Sequence, residues 1–177
     1  MPEPEIDVAD VRAELARRYL HVFGPGTAPG FAKWAGISDR VAAAVFASLF
    51  DELLTVRTPV GEAWVLASDE PELRAEPGSA APTRLLPSGD AFYLFWGPDR
   101  QLLVPDATLR AELWTSRVWP GAAMLRGEVA GTWRRAEETV RVHLWGKPTR
   151  AKRDAVEAEA AGLPIPGCEG RIRVVWG

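Results

Sequence analysis

The chain has 177 residues, 47% of them hydrophobic, with 21 Lys and Arg against 24 Asp and Glu and a net charge of −3. No global basic field attracts nucleic acid, so any DNA must be met by a local patch. A single cysteine, Cys168, excludes an internal disulfide and a cysteine-based zinc cluster.

No apolar run approaches the ~18 residues of a membrane span, and the acidic N-terminus is unlike a signal peptide. The expectation is a cytoplasmic protein without a cofactor and without membrane partners. The excess of Arg over Lys and the abundance of Ala, Gly and Pro look like a GC-rich genome more than a function.

In chain order, Val8, Val11, Leu15, Leu20 and Val22 recur at roughly helical intervals and predict a helix within 8–23. Gly24-Pro25-Gly26 stops it. Thr27 then caps a second helix within 27–35, with Phe31 and Trp34 on its inner face and Gly36 at its end. Ser38 caps a third helix, within 38–53, whose apolar stripe is Val41, Val45, Phe46, Leu49, Phe50 and Leu53. Leu54-Thr55-Val56 and Ala63-Trp64-Val65-Leu66 flank Thr58-Pro59-Val60-Gly61, which predicts a hairpin within 54–67. Three helices followed by a hairpin is the order of a winged helix, so residues 1–70 are read as a winged-helix domain. In that packing Trp34 is expected to be largely buried against Val45, Leu49 and Leu53.

Residues 68–83 are polar, proline-rich and aperiodic, and 71–83 are read as a linker. Beyond it, Arg84–Pro87, Phe92–Trp96 and Gln101–Val104 look strand-like. A meander follows in Ala122–Leu125, Glu128–Arg134 and Thr139–Trp145. Val140, Val142 and Leu144 alternate with Arg141, His143 and Trp145, so one face of that strand is buried and the other is wetter. Pro148–Gly162 reads as a helix, and Arg171–Trp176 as a closing strand. The fold class is α+β: a winged helix, then a small antiparallel barrel-like β domain with one helix over 84–177.

The segments RRYLHVFGPGTAPGFAKWAGI, ELLTV, LLPSGDAFYLFWGPDRQLLVPD and GEVAGTWRR, in this order, resemble a bacterial winged-helix DNA-binding family. That family includes the alkylpurine and interstrand-crosslink-repair DNA glycosylases. The resemblance covers about 11–176 and corresponds to the C-terminal half of full members. It implies that the catalytic Gln-apolar-Gln motif belongs to an N-terminal half. The one glutamine of this chain is Gln101, so no catalytic residue is carried over. Gly89 also departs from the family's apolar residue before Asp90.

A DNA-reading third helix should offer Arg, Lys, Asn or Gln to base edges. Residues 40–54 offer Arg40 alone, against Asp51 and Glu52, so a packing role is favoured. Arg134, Arg135 and Arg141 lie on or beside two adjacent strands, and Arg171 and Arg173 share one face of the closing strand. With Trp133 they form a candidate phosphate-and-stacking surface. The bland alternative is a solvated strand face. His143, Asp90, Asp99 and Cys168 read as structural.

The expected function is a non-catalytic DNA-binding module that takes double-stranded DNA weakly through its phosphates, with a missing N-terminal half or protein partner. An enzyme would require that half. The alternative is a ligand-binding or protein-interaction scaffold of the same fold that does not bind DNA, a reading the acidic balance favours.

Overall fold

The computed structural model describes residues 7–164 and 172–177. The chain divides into two compact units. One is Met1–Glu76 with Phe95–Asp99, and the other is Pro77–Leu94 with Arg100–Gly177.

The first unit opens with α1 (Val8–Phe23), capped by Asp7, whose carboxylate accepts from the Ala9 amide at 2.8 Å. Helix α2 (Ala28–Ala35) starts at Thr27, whose hydroxyl accepts from the Gly30 amide, and stops at Gly36. Gly36 has φ of 67°, a left-handed conformation that glycine adopts without a Cβ penalty. Helix α3 (Asp39–Ser48) starts at Ser38, which caps the Val41 amide.

The expected continuous helix to residue 53 is not what forms. Helix α3 ends at Ser48, Phe50–Glu52 make one tight 3₁₀ turn, and Leu53 already belongs to a strand. Three local causes act together. The Ser48 hydroxyl bonds back to the Val45 carbonyl at 2.7 Å, which loosens the last turn. Asp51 and Glu52 would sit at the negative end of a longer helix. Glu52 instead receives two 2.8 Å bonds from the Arg17 guanidinium on α1.

Strands β1 (Leu53–Thr58) and β2 (Gly61–Leu66) form an antiparallel hairpin with Leu53 opposite Leu66 and Thr58 opposite Gly61. The Thr58 hydroxyl accepts from the Val60 amide and donates to the Gly61 carbonyl, closing the turn. A short helix α4 (Glu70–Arg74) ends the run, and residues 75–83 carry no regular structure.

The core of this unit joins Ala16, Tyr19 and Leu20 of α1 to Phe31 of α2, to Val45, Phe46 and Leu49 at α3, and to Leu53 and Leu66 of the hairpin. Trp34 packs against this core while keeping part of its surface exposed, and its ring adds neighbours from α1 and α2: Tyr19 at 5.2 Å, Phe23 at 5.7 Å and Phe31 at 6.3 Å. Phe31, wholly buried, takes the central place. Phe95 closes on Phe23 edge-on at 6.2 Å.

The second unit is built on one five-stranded sheet in the order β3 (Arg84–Leu86), β4 (Gly121–Leu125), β5 (Glu128–Ala136), β6 (Thr139–Leu144), β7 (Arg173–Trp176). The sheet is open, since β3 and β7 are its two edges; the barrel-like expectation is corrected on this point. It is also not wholly antiparallel. Strand β7 runs parallel to β6 because helix α7 (Arg150–Ala161) separates them in the chain and makes the crossover that parallel pairing requires.

The runs expected as strands over 92–96 and 101–104 are not strands. Asp90 caps the Phe92 amide and turns Ala91–Tyr93 into a 3₁₀ helix, while Arg100–Leu103 form a short helix α5. Asp106 starts a further helix, α6 (Ala107–Leu113). The expectation of a single helix in this unit is therefore also corrected.

Both faces of the sheet carry a hydrophobic cluster, the second one over β4 only. On one, Val140, Val142 and Leu144 meet Val156 and Ala160 of α7, with Leu85, Ala123 and Leu125. On the other, Ala122 meets Tyr93, Val104, Leu113 and Trp114, which come from the α5–α6 side. Gly131 permits the close pairing of β5 with β6. A Cβ there would collide with the His143 carbonyl oxygen and lie 2.8 Å from the Leu144 Cα.

Candidate nucleic-acid interface

The register of β5, β6 and β7 sorts the basic residues. Paired residues in neighbouring strands share a face, and successive residues alternate. Arg134 stands opposite Arg141, Thr132 opposite His143, and Thr139 opposite Arg173. Val140, Val142 and Val174 point into the α7-side core, so Arg134, Arg141, His143 and Arg173 share the other face. All four are exposed.

Arg134 and Arg141 being directly opposite has an energetic consequence. Like charges opposite each other across a strand pair destabilise it. Among the described residues no carboxylate forms an ion pair with Arg134, Arg141 or Arg173, whereas Arg84 and Arg150 have theirs. Arg134 is braced instead by donating one N–H to the Val118 carbonyl at 2.9 Å. Arg173 donates to the Thr139 hydroxyl at 3.4 Å. A guanidinium has five donors, so each keeps most of its capacity for an anion.

One end of the face is neutralised. Glu112 of α6 lies 3.6 Å from His143 Nε2 and accepts from the Trp145 indole N–H at 3.0 Å.

The remaining candidates lie elsewhere. Trp133 and Arg135 alternate to the α7 face. The Trp133 indole N–H donates to the Leu86 carbonyl at 2.7 Å, and its ring packs beside the Val140–Leu144 core. Arg135 donates to the Glu137 carbonyl in its own turn. Arg171 lies outside the described residues, as does Cys168. Arg40 is exposed on the first turn of α3, in the first unit. The outward residues around it are Ala43, Ala44, Ala47 and Ser48. Three alanines present no hydrogen-bonding group to a base edge.

Sequence reasoning did not find the Val118 carbonyl or Glu112 as neighbours of this face. Both come from a different part of the chain, and no local spacing signals them. Arg100 is held between Trp114 at 5.0 Å and Trp119 at 5.3 Å, and burial lowers its pKa.

In the first unit a half-buried carboxyl stands out. A Cβ built on Gly30 would lie 2.8 Å from an Asp99 carboxyl oxygen, 3.0 Å from the Tyr19 hydroxyl and 3.1 Å from that of Thr27, so these groups crowd one point at the start of α2. Burial pushes the Tyr19 hydroxyl up to about 12, helped by the Asp99 charge, and raises Asp99 above the usual carboxylate range. Among the described residues no group of three His, Cys, Asp or Glu could hold a metal ion. No helix there is long and apolar enough to cross a membrane.

Arg134, Arg141 and Arg173 share one exposed face of the open sheet, and the comparisons give the class. The family model "DNA glycosylase AlkZ-like" matches residues 2–164, so the chain belongs to the AlkZ-like DNA glycosylase family. Among solved structures it is similar to the DNA glycosylase AlkZ of Streptomyces sahachiroi, with 23% identity and a TM-score of 0.71. The match covers 100% of this chain and 47% of that one, so the chain spans about half its length. At this identity the likeness speaks for the fold. No curated protein matches the chain.

Proposed function

We propose that this chain is a DNA-binding module of the AlkZ-like family that grips double-stranded DNA through phosphates on the β5–β6–β7 face and performs no base excision by itself. The observation that carries the reading is the Arg134–Arg141 pair, two exposed cations set opposite each other with no carboxylate partner among the described residues. Such a pair costs stability in the free protein and is relieved by an anion. Arg173 adds a third contact on the same face, and Arg171 joins it on sequence spacing alone. Trp133 is assigned a supporting role beneath the face.

In this reading α1–α3 with the β1–β2 hairpin constitute a winged helix whose third helix packs instead of reading bases. The alanine surface of α3 supports that, with Arg40 contributing one phosphate contact at most. Binding is weak, insensitive to sequence and steep in salt. The base-removing chemistry of the family is assigned to a segment or partner other than these residues, as the lone Gln101 supports.

The test is anisotropy with a short labelled duplex over a salt series. Each phosphate contact contributes roughly 0.9 to the slope of log affinity against log salt. Replacing Arg134, Arg141 and Arg173 together by Ala should flatten the slope by about 2.7, and Arg40→Ala by about 0.9 or less. An unchanged slope in the triple variant overturns the assignment. A folded protein with no binding at low salt favours the scaffold reading, which the net charge of −3 supports.

A further inference from the structure

The loop between α6 and β4 is braced at both ends. Trp114 at its start donates its indole N–H to the Tyr93 carbonyl at 3.1 Å, and the Pro120 carbonyl at its end accepts from the Tyr93 hydroxyl at 3.0 Å. Trp119 packs on the Tyr93 ring at 6.4 Å. Between these anchors Ser116, Arg117 and Val118 are exposed. Val118 is 67% exposed, but a single apolar side chain in water is ordinary, so exposure alone assigns it nothing. Its carbonyl oxygen is more informative. It accepts from the Thr115 hydroxyl at 2.9 Å and from the Arg134 guanidinium at 2.9 Å. The first bond closes the turn. The second fixes the tip beside one of the cations assigned above to phosphate.

The covalent structure of nucleic acid says what meets the tip. A backbone phosphate is esterified to a sugar on either side, so the group next to a phosphate held by Arg134 is a sugar. Deoxyribose carries a methylene at its 2′ carbon, whereas ribose carries a hydroxyl that both donates and accepts. A carbonyl oxygen has two lone pairs, and both of those on Val118 are in use. Its side chain offers methyl groups only. A 2′-hydroxyl packed against this tip gives up water and gains no partner, while a methylene packs there without that cost. Arg117 adds a cation to the tip, which serves DNA and RNA alike.

Resting on the phosphate assignment above, we propose that Val118 is a sugar-selecting residue that favours deoxyribose over ribose beside the phosphate held by Arg134. One hydroxyl desolvated without a partner corresponds to a preference of about tenfold.

The test is anisotropy of the full chain with a labelled DNA duplex and an RNA duplex of the same sequence, at one low salt concentration. Circular-dichroism melts check that each variant folds. The wild type should prefer DNA by about tenfold. Val118→Thr keeps the branched shape and supplies a hydroxyl to pair with the ribose. It should bind RNA more tightly and bring the ratio close to one, with the salt slope for DNA unchanged because no cation is removed. Ser116→Ala removes the one side-chain hydroxyl among the exposed tip residues and should leave the wild-type ratio. Wild-type binding without a preference for DNA overturns the proposal and leaves the phosphate surface standing. A preference that Val118→Thr leaves intact also overturns it, because helix shape then does the selecting. So does a preference that disappears in Ser116→Ala. Absence of binding to either duplex overturns the phosphate surface and this proposal with it.

Discussion

Tyr93→Phe removes one oxygen from a residue of the second unit that is wholly buried. Its hydroxyl directs its proton to the carbonyls of Pro87 at 2.7 Å and Pro120 at 3.0 Å and accepts from the Gly89 amide at 3.0 Å. Pro87 and Gly89 are exposed, so water takes over their bonds. Pro120 is buried, and its carbonyl loses a donor that water does not replace. The phenyl ring keeps its contacts with Trp114 and Trp119, so almost no cavity opens. One buried acceptor left without a partner costs about 1–3 kcal/mol. For a cooperative unit of this size that lowers the melting temperature by about 4–8 °C per kcal/mol. Urea titration followed by tryptophan fluorescence measures it, with an unchanged m-value marking a change in stability alone. The 115–120 loop held by Tyr93 also presents the Val118 carbonyl to Arg134, so duplex affinity should fall slightly in the same variant. A free-energy change within about 0.5 kcal/mol of zero would refute the reasoning, because that is the behaviour of a surface change.

Asp99→Asn should stabilise the protein at neutral pH. Burial raises the Asp99 pKa in the folded state above its unfolded value, so the native state binds more protons across that interval. The Asp99 contribution is then fully present below the ordinary aspartate range and is lost as pH rises to the raised value. The variant should lose this fall, and urea titrations at acid and neutral pH check it; a variant less stable than wild type at neutral pH contradicts it. Phe31→Ala should cost about 3–5 kcal/mol and Trp34→Ala less, although Trp is the larger side chain, because Trp34 keeps part of its surface in water. Thermal melts that rank them the other way round would reject the drawn core. The purified chain should release no base from alkylated or crosslinked duplex, and release above a no-protein control is the contrary result.

Where the sequence was legible, short-range chemistry was decisive. Thr27, Ser38 and Asp7 each start a helix with their own side chains, and Gly36 ends one, so those boundaries could be read from single residues. The end of α3 could not. Leu49 and Leu53 keep helical spacing, yet Leu53 pairs with Leu66 thirteen residues on, and only that pairing makes it a strand. The apolar run 92–96 carries the composition of a strand, but the Asp90 cap prevails over it. Alternation in β6 separated Arg141 and His143 from their buried neighbours. It could not say that Arg134, and not Arg135, joins them, because that depends on the register fixed by the Glu137 turn. The partners from α6 and the Val118 loop are tertiary and leave no local trace.

The most direct test of the central claim is a nitrogen–proton NMR titration of the labelled full chain with a short DNA duplex at low salt. The account predicts shifts concentrated at the amides of Thr132–Arg135, Arg141–His143 and Arg173–Val175, fading together as salt is added. Shifts confined to α3 around Arg40, with the β5–β6–β7 amides unmoved, would contradict it.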